Sequence, residues 1–193
     1  MTSTVRSGLA AVVLTVPVVT QLVRPGLTES VPGHLVFAGS QVLGWALVAS
    51  VVRAAPEPAR AASRWGSRTV VAACILQLLF GVAYAATALD GKPSEASFVL
   101  FLLGFLALLV GGLGWALALR AVPGARLSSV GLACVGILGA MAILVGTDPF
   151  HDVLLLSSYV SWVVVGRGFD VLRDAPEGAR TSMPSTSVAD VTW

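Results

Sequence analysis

Charge is the scarcest property of this chain. Asp, Glu, Lys and Arg make up 11% of its 193 residues, where an ordinary soluble domain carries about 25%, and hydrophobic residues reach 56%. A water-soluble fold of this length could not hide so much apolar surface, and nothing resembles a second, polar domain. Lysine occurs once, at Lys92, beside eleven arginines; with abundant Ala, Val and Gly this suggests a GC-rich bacterial genome. Histidine occurs only as His34 and His151, and cysteine only as Cys74 and Cys134.

Each absence bears on a class of activity. The long apolar runs contain no Asp, Glu, Lys or Arg, and ionisable groups at depth are what proton-coupled pumps, ion carriers and most intramembrane hydrolases require. No G-x-S-x-G, HExxH, P-loop or dinucleotide fingerprint occurs, so the chain reads as a non-enzyme more readily than as an enzyme. With no CxxC and no histidine deeper than the first residue of a run, Cys74 and Cys134 read as small hydrophobes rather than a redox or metal pair. The same placement of histidine argues against a bis-histidine haem between helices, and no cofactor or metal is expected.

What is there is a series of apolar runs. The plainest is Phe98 to Leu119, without one charged, amide or hydroxyl side chain. As a helix it is roughly 33 Å long at 1.5 Å per residue, matching the hydrocarbon thickness of a bilayer. Similar runs at 9–23, 34–52, 69–89, 128–146 and 153–165 predict an all-α bundle of six transmembrane helices filling residues 1–173. The first has Arg6 before it and Pro17 in its middle. Without an A-x-A pattern after it, it reads as an uncleaved, kinked span rather than a signal peptide. Residues 174–193, rich in Pro, Ser, Thr and Gly, are expected to be a disordered tail.

Taking the connections in alternation places ten of the twelve cations on one side and only Arg24 and Lys92 on the other. The positive-inside rule then puts both termini in the cytoplasm and makes this a multi-pass protein of the inner membrane. The most basic stretch, Arg53 to Arg68, has four arginines and one glutamate; it reads as a topology determinant, with anionic lipid or nucleic acid as alternative attractions. Since it flanks a span, no nucleic-acid partner is expected.

Leu43-Gly44-Trp45-Ala46-Leu47 recurs as Leu113-Gly114-Trp115-Ala116-Leu117, and Trp162 precedes Arg167 in the sixth run. Tryptophan followed by arginine toward the basic end of each even span reads as interfacial anchoring, or as a duplicated hairpin. Small residues four apart, at Ser40 and Gly44, Ala46 and Ser50, and Gly136 and Ala140, offer faces to other helices.

Two groups of polar residues are candidate sites. Gln41, Gln77 and Tyr84 are polar exceptions within the runs; interhelical hydrogen bonding accounts for them, and lining a cavity is the alternative. At the end opposite the arginines, TDPFHD brings Asp148, His151 and Asp152 together, with His34 on the same side. These four have the donor types of a metal or proton site, whereas Asp148, Pro149 and Asp152 also suit a helix cap and first turn. The sequence favours the cap. Thr147-Asp148-Pro149 and His151, at the junction of the last two spans, resemble the corresponding junction in a broad group of six-helix bacterial membrane proteins of unknown function. The resemblance implies the helix count and no functional residue. The expected partners are the lipid bilayer and another membrane protein or a second copy of the chain, met through the small-residue faces. A small permease or lipid-handling protein is the alternative, and a membrane enzyme with an outer His/Asp site a third.

Overall fold

The computed structural model describes residues 1–24, 30–89, 95–145 and 149–175. Among them the chain is all-helical: α1 Ser3–Val23, α2 Val31–Arg53, α3 Glu57–Ala62, α4 Arg64–Leu89, α5 Glu95–Leu119, α6 Arg126–Val145 and α7 Pro149–Asp174. All but the short α3 are long and apolar enough to cross a membrane.

Capping side chains fix several starts. Thr2 Oγ1 accepts from the Val5 amide at 3.3 Å, Ser30 Oγ from Gly33 at 3.2 Å, and Ser63 Oγ from Gly66 at 3.0 Å. Helix α1 continues through Pro17. The turn from α5 to α6 needs glycine at Gly124, whose φ is 78°.

The six long helices form a closed ring. Each packs against its sequence neighbour in the order α1, α2, α4, α5, α6, α7, and α1 packs against α7 to complete the circuit. Across the ring, Trp45 of α2 meets Phe105 of α5 and Tyr159 of α7, with ring centroids 6.1 and 6.2 Å apart. Large apolar side chains such as Val12, Val82, Leu106 and Leu144 point outward on α1, α4, α5 and α6. An apolar exterior this extensive is foreign to soluble monomers.

Three features depart from the sequence reading. The tryptophans expected at an interface, Trp45, Trp115 and Trp162, are all 0% exposed and belong to the core; only Trp65, among the described tryptophans, is exposed. They are broad plates that fill the ring, and placing their bulk inside satisfies packing better than an interfacial seat does. The basic stretch, which falls between the expected spans 34–52 and 69–89, is itself largely helical, since it contains α3 and the first turn of α4. Finally, α7 continues nine residues past Val165, because its polar last turns are held by neighbours: Phe169 stacks near Trp115, centroids 5.5 Å apart, and Asp170 binds α1. Residue 146 and the tail from residue 176 lie outside the described residues.

Candidate functional site

The interior polar residues are packed. Gln41 is 1% exposed, and its Oε1 accepts from Trp45 Nε1 of the same helix at 3.0 Å. Gln77, 0% exposed, donates from Nε2 to the Phe101 carbonyl at 3.1 Å, tying α4 to α5. A Cβ added at Gly104 would sit 2.6 Å from Gln77 Nε2, so glycine there is what lets the amide reach across. Gln77 Oε1 and Trp162 Nε1 are buried without a hydrogen-bond partner among the described residues. Tyr84 is separate from this group: it lies toward the other end, against His34, Phe37 and Phe80.

The outer cluster is only partly placed, because Thr147 and Asp148 lie outside the described residues. His34 Nδ1 is 2.8 Å from the Tyr84 hydroxyl. His151 Nδ1 is 2.7 Å from the Ala142 carbonyl; a carbonyl only accepts, so Nδ1 there carries the proton. Among the described residues, no three His, Cys, Asp or Glu side chains come together as metal ligands would. His34, His151 and Asp152 therefore form no shared donor set: His34 bonds toward α4 and His151 toward α6.

At the basic end is a feature that sequence reading missed. Asp170, 7% exposed, accepts from the Ser3 amide at 2.9 Å and from the Thr4 amide and hydroxyl at 2.8 and 2.6 Å. A carboxylate at the first turn of α1 complements the positive end of the helix. Arg173 bonds Asp170 at 3.2 Å and the Ala54 carbonyl, just past α2, at 2.8 Å. The contact needs Gly166, since a Cβ there would collide with the Ser7 hydroxyl and the Ser3 carbonyl. Sequence offered a weak signal in an Asp three residues before an Arg, but nothing to pair it with a segment 166 residues away.

The second feature of that end is a hollow of about 570 Å³ between the end of α2, α3 and the start of α4. Arg53, Arg60, Arg64 and Arg68 line it, with Glu57 the one carboxylate. They converge because α3 is pinned: Ala59 is fully buried, and its carbonyl accepts from Trp115 Nε1 at 2.6 Å. Among the described residues none of the four guanidinium groups is in an ion pair or hydrogen bond. Arg64 and Arg68 stand in the first turns of α4, which has no acidic residue there. Positive charge beside a helix N-terminus is unfavourable by about 0.3–1 kcal/mol per group. With four arginines against one carboxylate among its lining residues, the hollow is a net positive locus, suited to an anion.

Family models, curated proteins and solved structures yield no match to this chain.

Proposed function

We propose that the chain is a multi-pass protein of the inner membrane. Its arginine-rich end and both termini face the cytoplasm, and it acts by association with lipid or a membrane partner rather than by catalysis or transport. The observation that carries this reading is an apolar exterior surrounding a packed interior. Leu and Val side chains are turned outward around the ring while Trp45, Phe105, Tyr159 and the glutamines fill its centre. A permeation path would need polar groups facing open space. Gln77 instead bonds the α5 backbone, joining two helices, and the Gln41 amide oxygen is taken up by Trp45 of its own helix.

Some of the small-residue faces belong to the bundle itself. Gly44 meets Leu14 of α1, and Gly136 meets the α5 backbone at Leu108 and Leu109. Association therefore falls to the outer faces, where Ala46 and Ser50 line a hollow, and to the basic end. The test is to purify the full chain in mild detergent, identify what accompanies it by mass spectrometry, and assay it in vesicles. Association predicts a stoichiometric lipid or protein companion and no solute flux. Reconstituted vesicles that leak a small solute in proportion to the protein would overturn the reading in favour of a permease.

A further inference from the structure

The arginine hollow does not stand alone. A second hollow of about 500 Å³ shares Arg53 with it and runs along Ser50 and Ala46 of α2, facing Ile75 and Leu78 of α4. A third, about 450 Å³, shares Ala46 and continues past Leu43 and Gly39, beside Val82 and Ala85. Linked through Arg53 and Ala46, the three lie in series along the outward seam of α2 and α4, basic at one end and increasingly apolar toward the other.

The length of this groove spans the apolar thickness of a bilayer, and its basic end marks where a headgroup would sit. From Arg53 to Leu35 is roughly 27 Å along α2 at 1.5 Å per residue, close to the full apolar thickness of a bilayer of about 30 Å. A lipid of one leaflet covers about half of that, so a headgroup at Arg53 places its acyl chain against Ser50, Ala46 and Leu43. Small side chains leave room there for a chain to lie. Arg6 of α1 also borders the middle hollow, adding a fifth cation near the head position.

We infer that the α2–α4 groove binds one anionic phospholipid, its phosphate among Arg53, Arg60, Arg64 and Arg68 and an acyl chain along the small-residue track. This rests on the membrane association proposed above and names the ligand for it. The occupant is a lipid rather than a second helix because the groove ends in four guanidinium groups that, among the described residues, make no ion pair, with Glu57 the one carboxylate beside them, above an apolar trough. A helix packed there would leave those charges unanswered. A guanidinium fork matches a phosphate bidentately, and positive charge beside the α4 N-terminus is relieved by the same anion.

The test uses the full chain in neutral detergent, titrated with phosphatidylglycerol, phosphatidylcholine or inorganic phosphate, with bound lipid read by native mass spectrometry. Three variants are compared: Arg60→Gln with Arg64→Gln, Arg120→Gln with Arg126→Gln, and Ala46→Phe. The first two remove the same charge, one pair from the groove and one from the α5–α6 hollow. Phosphatidylglycerol should bind one to one and in preference to phosphatidylcholine. The first variant should weaken it roughly 30-fold, the equivalent of about 2 kcal/mol for two juxtamembrane arginines, while the second leaves it unchanged. Ala46→Phe should weaken lipid binding with no change in assembly.

Equal binding of the two lipids, equal loss in both arginine pairs, or phosphate binding that displaces the lipid would overturn the inference. So would loss of a dimer in Ala46→Phe, which would make the groove a contact between copies. Any of these failures leaves membrane association standing if a companion still co-purifies; vesicle leakage would remove that reading without touching the lipid titration.

Discussion

Asp170→Ala is expected to be among the most damaging single changes at the basic end. The carboxylate is 7% exposed and receives three hydrogen bonds from Ser3 and Thr4, joining the last turn of α7 to the first turn of α1. A hydrogen bond to a charged group contributes about 1.5–3 kcal/mol, and an amide left buried without a partner costs about 1–3 kcal/mol. The bonds share one acceptor and are not additive, and the Arg173 charge left behind is half exposed, so the loss should be about 2–3 kcal/mol. Arg173 has a side chain 45% exposed, and Arg173→Ala should cost only about 1 kcal/mol or less. Unfolding free energies of the detergent-solubilised variants, from titration with SDS, separate the two. A double-mutant cycle with Thr4→Val should return a coupling of about 1–3 kcal/mol. If Asp170→Ala fell within about 0.5 kcal/mol of the parent, the range of ordinary surface changes, closure of the ring through this carboxylate would be refuted.

Other expectations follow from the interior and the pinned α3. Gly104→Ala should destabilise the bundle by about 1–3 kcal/mol, since its Cβ would stand 2.6 Å from Gln77 Nε2; adding Gln77→Leu should not restore the loss fully, because leucine is as bulky. Gln77→Leu alone should change stability by less than about 1 kcal/mol, because it removes one hydrogen bond together with a partnerless oxygen; a larger loss in the same SDS titration would give that oxygen a role. Trp115→Phe removes the bond to Ala59 together with part of a fully buried ring; it should lower SDS stability by about 1–3 kcal/mol and, beyond that, speed protease cleavage between Ala54 and Ser63 more than an equally destabilising core change elsewhere. An unchanged cleavage rate would mean that α3 is held by something else.

How much of this was legible in the sequence depends on the range of the interaction. Helix number and approximate position follow from apolar runs, because one stretch of residues decides whether it suits a bilayer. Helix ends were less legible. α7 reaches Asp174 through a polar segment because Phe169 meets Trp115 and Asp170 meets α1, contacts between residues far apart in sequence. For the tryptophans, a position near an arginine-bearing helix end suggested an interface, yet rotation about the helix axis decides exposure, and the repeated Leu-Gly-Trp-Ala-Leu does not reveal it. Gln77 stands out in its apolar run and does join two helices, though its partner was not legible; Gln41 stands out equally, yet its hydrogen bond is to Trp45 of the same helix. The convergence of Arg53 with Arg60, Arg64 and Arg68 needed α3, whose six residues carry too little periodicity to predict.

Six crossings with the arginine-rich end inside are tested most directly by labelling single cysteines. With Cys74 and Cys134 replaced by alanine, one cysteine is placed at Ser63, between α3 and α4, and in a second variant at Ser30, before α2. Intact spheroplasts are then treated with a membrane-impermeant maleimide. Cysteine at position 30 should label at once, and cysteine at position 63 only after the cells are opened; labelling of position 63 in intact spheroplasts would contradict the arrangement.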